Sequence, residues 1–416
     1  MIRGWWRRRG PQPRDCADGV RVPLRSGDIA LGLLLAFLLV VALLSLTKLR
    51  TEDTAEYADP GWDRHVYIAM ADGHGFDFGI APFNRRVLVP ALAAATPSSL
   101  QVGFFAVSAS FAVVAGAAMF ALGRLRGHSR SVAAAGTLLL FSFGWGLKYA
   151  LADFWIPDAA VLAFVGVGMV FAQQRRALAF AVVVATGVLA KESVLFVIPL
   201  YYSLNAARFV DWRLARETGL AALPAAAVFL LLQVTIPERN GDAAYISTLP
   251  EIIQRFPELY ANYDYYSLLR DIGYHQRLSD RNFEALGAMT VNPFGLIAPA
   301  LAAVGLRRHG LLALRLLPFF ALVYLQLLFA TDTERLLELA APCLCLMAMA
   351  GMDELSTDRP WIKWPLFSLA VGAFALVLIE PNVFTTDWRV QGALAAVVVG
   401  IAAAGALRPP KISLAG

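Results

Sequence analysis

Long apolar stretches, separated by short charged ones, are the feature of this sequence that most limits what it can fold into. The first runs from Asp28 to about Thr47 and contains LGLLLAFLLVVALLSL. A helix needs about 20 apolar residues to cross the hydrocarbon core of a bilayer, and this run has that length. The chain is 58% hydrophobic and only 16% charged, whereas soluble domains carry roughly 25% charged residues. The sequence therefore predicts a polytopic integral membrane protein.

Eleven further apolar stretches follow the first, and together they predict an all-α helix bundle with about 12 transmembrane helices. The stretches at 177–190 and 193–207 are open to a second interpretation, as one long helix in place of two short ones. That interpretation would move every later loop to the other side of the membrane. The stretches lie at about 100–122, 131–149, 157–173, 177–190, 193–207, 217–236, 291–306, 311–330, 336–352, 364–380 and 390–407.

Basic residues predict the orientation, because cytoplasmic loops of membrane proteins carry an excess of Lys and Arg. Alternating the sides of the apolar stretches places the basic clusters inside and the acidic or mixed loops outside. The predicted parts are a cytoplasmic basic leader at 1–27, one multi-span transmembrane domain at 28–407 and a cytoplasmic tail at 408–416. Long outer loops then lie at about 48–99 and 237–290, and both termini are cytoplasmic. The inside clusters are Arg124/Arg126/Arg130, Arg175/Arg176, Arg208/Arg213/Arg216, Arg307/Arg308 and Arg408/Lys411.

The segment VLVPALAAATP, which follows Arg86, is too short to cross a bilayer and is predicted to form an interfacial or re-entrant helix in the first outer loop. The Ala-, Gly- and Arg-rich, Lys-poor composition is typical of a high-GC bacterium, which places the protein in the plasma membrane, the bacterial inner membrane. Membrane lipids are expected partners, with anionic headgroups near the basic leader. Nothing in the sequence indicates nucleic-acid binding.

Charged residues within or beside transmembrane segments are costly and tend to be functional, and several of them map to the predicted outer face. Asp59 and Asp63 flank Pro60 in the first outer loop, where a proline favours a helix start. Asp63 and Tyr67 are four residues apart, so they share one face of that helix. Acidic residues at a helix start, Asp158 among them, also occur for purely structural reasons, and that simpler interpretation stays open.

Two arginines, a Lys–Glu dipeptide and a later arginine extend this set of charges. Arg85 and Arg86 lie on the predicted outside, where positive charge is disfavoured, and guanidinium groups bind phosphate oxygens bidentately. Lys191 and Glu192 separate two short apolar halves, which predicts a functional break in the helix. Arg335 is the first charge of a later span on the same side. Other charged residues predicted at this face are Lys148, Asp153, Asp158, Asp332, Glu334 and Glu338.

Four short patterns occur in order along the chain: DPGWDRHVY, APFNRRVLVP, LAKESVLF and DTERLLELAAP. In their order and common face they resemble the GT-C superfamily of membrane glycosyltransferases, and the resemblance covers most of the chain. It implies a mannosyltransferase-like enzyme of the cell envelope, which moves a sugar from a polyprenyl-phosphate donor to an acceptor at the outer face. The chain lacks a sizeable soluble domain after its last span, so the acceptor, a glycan, a lipid or a protein, stays open.

The resemblance also implies roles for individual residues. The catalytic acidic residue of the first outer loop falls to Asp63 or Asp59, and the choice is open because the loop lacks an adjacent acidic pair. The phosphate-binding role falls to Arg85, Arg86 or Arg335.

Elementary chemistry favours the same residue types. Glycosyl transfer needs a carboxylate that takes the proton of the acceptor and cations that hold the departing lipid phosphate. Lys191 and Glu192 are predicted to orient that phosphate or to tune the base, and Tyr67 is predicted to contact the substrate. If a divalent metal takes part, the oxygen ligands of Asp59 and Asp63 suit Mg²⁺ or Mn²⁺. A direct single displacement would invert the anomeric centre.

Two other functions compete with glycosyl transfer. A multi-span transporter or lipid flippase would line a pathway with the same charges, although transporters often show internal repeats and mid-membrane charges. A non-catalytic envelope-assembly protein would keep the scaffold and bind a lipid phosphate, and it would tolerate Asp63→Asn. The sequence favours glycosyl transfer because its unexplained charges gather at one face and no repeat is visible.

Overall fold

Helices make up almost all of the part of the chain that the computed structural model describes, and that part contains no β-strand. The predicted all-α class is therefore confirmed. Asp59, Asp332 and most of the predicted leader and tail lie outside the described residues. The described ranges are 23–47, 62–255, 291, 293–328, 333–357, 359–379 and 388–406.

The α-helices are numbered in chain order, and shorter 3₁₀ and π turns join several of them. They are α1 (Ser26–Leu46), α2 (Trp62–Ala69), α3 (Leu88–Ala94), α4 (Leu100–Leu125), α5 (Arg130–Phe141), α6 (Tyr149–Ala152), α7 (Asp158–Gln174), α8 (Ala177–Val188), α9 (Ile198–Ser203), α10 (Trp212–Thr235), α11 (Ala243–Ile246), α12 (Glu251–Gln254), α13 (Ile297–Leu325), α14 (Thr333–Leu337), α15 (Ala341–Thr357), α16 (Lys363–Ile379) and α17 (Trp388–Ala406).

Within the described ranges, six helical segments are long and apolar enough to cross a membrane. By length and composition they are α1, α4, α10, α13 counted as one helix across its kink at His309, the segment Arg335–Thr357 and the segment Pro360–Ile379. The pair Arg130–Phe141 and Gly144–Ala152 is bent by 56° and makes a seventh crossing if it is one broken span. These helices are consistent with a membrane-embedded bundle. The total of about 12 crossings stays a prediction.

α13 consists of two helical arms joined by a turn. His309 departs from helical backbone angles, with φ −110° and ψ 28°. Arg308, just before it, lies 3.9 Å from Glu354 near the end of α15. The second arm then runs back to Gln326, whose amide donates a 2.9 Å hydrogen bond to the carbonyl of Leu336 at the opposite end of that span. The turn falls between the two stretches predicted at 291–306 and 311–330.

The first arm of α13 packs closely against α15 through two glycines. A Cβ atom on Gly351 would lie 1.9 Å from the carbonyl oxygen of Leu301, and one on Gly305 would lie 2.7 Å from that of Met347. Small residues at membrane helix interfaces allow two backbones to approach in this way. The contact fixes α15, and with it the segment that carries Arg335, against its neighbours.

The charged residues of the bundle gather at its two ends. At one end Asp28 accepts a 2.8 Å hydrogen bond from Arg130, and His128 pairs with Asp353. Arg335 lies at the other end, and about 27 Å of helix separates it from Asp353. Among the described residues, Arg130, predicted inside, and Arg335, predicted outside, therefore lie at opposite ends. Which end faces the cytoplasm stays a prediction.

We expect Gly351→Ala to lower the free energy of unfolding by about 2 kcal/mol, because the added methyl group overlaps the Leu301 carbonyl and forces the helices apart. Gly372→Ala in α16 is the matched control, because a Cβ atom there meets nothing within 4 Å. It is expected to be neutral or slightly stabilising. The apparent Tm of the purified protein in detergent measures both, and an unchanged Tm for Gly351→Ala would contradict the close packing.

Candidate functional site

The first part of the site lies on α2, which begins at Trp62, close to the start predicted near Pro60. Asp63 is in its first turn and Tyr67 lies one turn later, so the two share a helix face as predicted. Tyr67 is fully buried, and its hydroxyl accepts a 3.3 Å hydrogen bond from Arg86. The side chain of Asp63 is 15% exposed.

Arg86 is held between the first loop and α8. It follows the 3₁₀ turn Phe83–Arg85, and the N–H of Leu88 donates a 2.9 Å hydrogen bond to the carbonyl of Leu189. This backbone contact brings the guanidinium of Arg86 to Glu192, which it contacts bidentately with N–O distances of 2.7 and 3.2 Å. Such paired contacts fix the orientation of both side chains.

The helix break predicted at Lys191 and Glu192 is confirmed. α8 ends at Val188, Lys191 has extended backbone angles (φ −167°, ψ 138°), and a 3₁₀ turn starts at Glu192. Successive side chains of an extended backbone point to opposite sides. The two side chains therefore diverge, with Lys191 donating to Asp158 at 3.1 Å and Glu192 facing Arg86.

Asp158 and Arg335 form the centre of the site. Asp158 is the first residue of α7, directly after Pro157, and a carboxylate is favoured at a helix N-terminus. The Nε atom of Arg335 lies 2.6 Å from Asp158, and its Nη2 atom donates to Asp63 at 2.9 Å. Because Lys191 contacts the other oxygen of Asp158, these four side chains form one continuous chain of ion pairs.

Three cations and three carboxylates thus meet at one end of the bundle, and their formal charges cancel. The side chains of Arg86, Lys191 and Arg335 are only 8, 8 and 9% exposed. Burial strengthens each pair, and removing one member of a buried pair costs about 3–5 kcal/mol because its partner is left alone. We call this group the charge cluster: Asp63, Arg86, Asp158, Lys191, Glu192 and Arg335.

The carboxyl groups of Glu192 and Asp153 have pKa values shifted in opposite directions. Partial burial acts to raise the pKa of Glu192, but the Arg86 guanidinium outweighs it, and the pKa lies below its ordinary value. Burial raises the pKa of Asp153 to about 6, although Arg335 opposes this shift. Glu192 is therefore ionised at neutral pH, whereas Asp153 takes up a proton as the pH falls through about 6.

Arg85 stands apart from the charge cluster. Its guanidinium lies 3.5 Å from Glu238, at the start of the second predicted outer loop. The same two loops are joined by a 2.8 Å backbone hydrogen bond from Arg239 to Gly79. Of the two adjacent arginines, the structure therefore brings Arg86 to the other candidate residues and uses Arg85 to connect the loops.

A cavity of about 20 Å³ lies against the charge cluster. Its walls include Asp158, Lys191, Arg335, Trp145 and Glu338. Glu338 lies three residues after Arg335 and is 3% exposed, so a further carboxyl group is buried beside the ion pairs.

Two of these residues were not among the predicted site residues, although the sequence carries a signal for each. Asp158 enters an apolar run directly, as Arg335 does, but its position at a helix start offered a sufficient structural reason. Glu338 follows Arg335 by three residues, a spacing that places both on one side of a helix. Asp59 lies outside the described residues, so only Asp63 is placed by the structure.

A metal site is not visible in the described part of the chain. No group of three or more His, Cys, Asp or Glu side chains there is arranged to hold a metal ion. Asp63 faces Arg335 and not a second carboxylate, which leaves it without a partner ligand among the described residues. Participation of Mg²⁺ or Mn²⁺ therefore stays a prediction that depends on Asp59.

Comparison with known proteins adds no assignment. A scan against protein families finds no match, and a search of curated proteins finds no matching relative. The interpretation of the site therefore depends on its own residues and on their arrangement.

Proposed function

We propose that this protein is a membrane glycosyltransferase, which moves a sugar from a polyprenyl-phosphate donor to an acceptor at the outer face of the membrane. The observation that carries the proposal is the charge cluster. Five separated segments of the chain deliver its six charged side chains to one end of a bundle whose helices are otherwise apolar. Charges that are this costly to bury in a membrane protein are typical of a functional site.

Asp63 is the proposed general base. It is the carboxylate of the cluster that lies in the first loop, its side chain is partly exposed, and it forms an ion pair with Arg335. In the proposed reaction an acceptor hydroxyl attacks the anomeric carbon of the sugar, and its proton passes to the Asp63 carboxylate. The bond between the anomeric carbon and the phosphate oxygen breaks, and its electron pair leaves with the lipid phosphate. One displacement of this kind inverts the anomeric centre.

Arg335 and Arg86 are the proposed phosphate clamp. Each presents a guanidinium group, which matches phosphate oxygens bidentately, and each is already within contact of a carboxylate. A donor phosphate competes with Asp63 for Arg335, so donor binding releases the carboxylate that the reaction needs. Lys191, held by Asp158, adds positive charge to the same side of the site. In a site that excludes water, such charges stabilise the departing phosphate strongly.

We expect Asp63→Asn to lower the rate of transfer at least about 100-fold, because a general base contributes about 10²–10⁴ to a rate and an amide cannot take the proton. Transfer from radiolabelled polyprenyl-phosphate mannose, measured in membranes at equal protein level, tests this. A panel of polyprenyl-phosphate hexoses and pentoses extends the assay to other sugars. Asp72→Asn, at an exposed residue of the same loop, is the matched control and is expected to retain full activity.

Three results distinguish the alternatives. Loss of transfer in Asp59→Asn with full activity in Asp63→Asn would move the catalytic role to Asp59. Transfer that is indifferent to both substitutions would contradict a first-loop base. If the wild-type protein transfers no sugar from any donor of the panel, the glycosyltransferase proposal is wrong, and lipid transport and scaffolding become the functions to test.

The two adjacent arginines offer a second test. We expect Arg86→Lys to lower kcat/KM for the donor by more than about tenfold, because an ammonium group cannot replace a bidentate guanidinium. Arg85→Lys is expected to change it by less than about threefold, because Arg85 contacts Glu238 and not the charge cluster. Steady-state kinetics with the donor measures both variants, and the apparent Tm shows whether either has lost stability. An equal or larger loss in Arg85→Lys would place the phosphate elsewhere.

A further inference from the structure

Glu338 is a buried carboxyl group that the proposed reaction does not use. It is 3% exposed, and both of its carboxyl oxygens are buried without a hydrogen-bond partner among the described residues. Polar atoms buried in native proteins are almost always hydrogen-bonded, so each exception requires a reason. A missing ligand is one such reason, and the surroundings of Glu338 identify what that ligand must be.

The carboxyl group of Glu338 lies against the backbone of Gly146. A Cβ atom on Gly146 would lie 2.7 Å from the Oε2 atom of Glu338, so a larger residue there would force the carboxyl group to move. The backbone at Gly146 departs from helical angles, with φ −85° and ψ −117°, inside the second member of the bent helix pair. Glu338 therefore lies against a kink in that helix.

The cavity beside the charge cluster is also lined by Glu338. It measures about 20 Å³, which is enough for roughly one water-sized group. A whole sugar ring does not fit, but a single hydroxyl group does. Trp145 also lines the cavity, and sites for organic ligands typically combine aromatic walls with a few placed polar groups.

The charges around the cavity favour a hydroxyl group over an anion. The cations in its wall, Lys191 and Arg335, are already paired with Asp158, which is itself a wall residue. A phosphate oxygen placed there would lie beside two carboxyl groups, those of Asp158 and Glu338. A hydroxyl group both donates and accepts hydrogen bonds, so it pairs with a carboxyl group whether or not that group carries a proton.

We propose that Glu338 hydrogen-bonds one hydroxyl group of the donor sugar and thereby determines which sugar the protein transfers. This inference rests on the proposed function, because the sugar reaches the cavity only while its phosphate lies at Arg335. The sugar ring then lies outside the cavity, between Asp63 and Glu338, and one of its hydroxyl groups enters. Glu338 is a specificity-determining residue in this arrangement and takes no part in the transfer of the proton.

The substitution Glu338→Met distinguishes a role of Glu338 in donor binding from a role in the stability of the fold. Methionine resembles glutamate in length and has no polar oxygens, so the variant buries an apolar group where a carboxyl group had no partner. We expect an unchanged or higher apparent Tm together with a KM for the donor that is raised about tenfold, the loss of one hydrogen bond. Glu338→Gln keeps hydrogen-bonding oxygen and nitrogen atoms and is expected to restore KM to within about threefold of the wild-type value.

Monodeoxy donors identify the contact directly. Polyprenyl-phosphate mannose and its monodeoxy analogues, or those of the best donor from the panel, are compared as substrates of the wild type and of Glu338→Met. For the wild type, one analogue is expected to have a kcat/KM about tenfold below that of the parent donor. For Glu338→Met the two donors are expected to have nearly equal kcat/KM, because the variant lacks the carboxyl group that contacts the missing hydroxyl. Inhibition by polyprenyl phosphate without a sugar is expected to be the same for both proteins.

Each other result overturns the inference. An unchanged KM in Glu338→Met means that the cavity holds only a structural water. A weaker inhibition by sugar-free polyprenyl phosphate means that Glu338 supports the phosphate site, and a lowered apparent Tm means that it has a structural role. In all three cases wild-type transfer shows that the proposed function stands. If the wild type transfers no sugar, the proposed function fails and the role of Glu338 fails with it.

Discussion

The position of Arg335 between two carboxylates is the interaction on which the site depends. Its guanidinium contacts Asp63 of the first loop at 2.9 Å and Asp158 of α7 at 2.6 Å, and Lys191 joins the same chain through Asp158. Four segments far apart in the sequence therefore meet through side chains that are almost fully buried. Removal of Arg335 would leave Asp63 without its ion-pair partner and Asp158 with Lys191 alone, and breaking a buried pair costs about 3–5 kcal/mol. The first loop is consequently tied to the bundle by charge and not by apolar packing alone.

Charge balance within the cluster also governs how a donor binds. Each cation already has a carboxylate partner, so an incoming phosphate replaces an existing ion pair and does not fill an empty positive site. This exchange lowers the affinity for simple anions, which would have to break the same pairs without the help of a lipid chain or a sugar. In the proposed reaction it also couples donor binding to the release of Asp63. The exposed fraction of Glu192, 36% against 8% for its partner Arg86, makes that carboxylate the member of the second pair that can move aside most easily.

The sequence predicted the fold class, the helix break at Lys191 and the meeting of distant charges at one end, because each of these follows from local composition and from the cost of charge in a membrane. It did not decide between Arg85 and Arg86, since neighbouring residues of identical type differ only in the direction that the turn Phe83–Arg85 gives them. Asp158 was underrated because a carboxylate at a helix start has a local explanation that needs no partner. Glu338 shows its significance only once its neighbours are known, since an unpaired oxygen is a property of the surroundings and not of the residue.

Ion pairs occur at both ends of the bundle, but the basic side chains in them differ in solvent exposure, and this difference bears on function. At the end with Asp28 the basic partners Arg130 and Arg307 are 57 and 59% exposed, so water and salt screen their charges. Their carboxylate partners, Asp28 and Glu354, are 2 and 8% exposed, so buried carboxylates occur at this end as well. Between the two ends the helices approach closely: a Cβ atom on Gly136 would lie 2.6 Å from Met349, and one on Gly116 would lie 2.6 Å from Phe141. Substrate sites of transporters commonly lie near the bilayer midplane, at breaks in the helices. The cations of the charge cluster are 8–9% exposed, whereas Arg130 and Arg307 at the other end are largely solvated. This contrast favours chemistry at the end that carries the charge cluster.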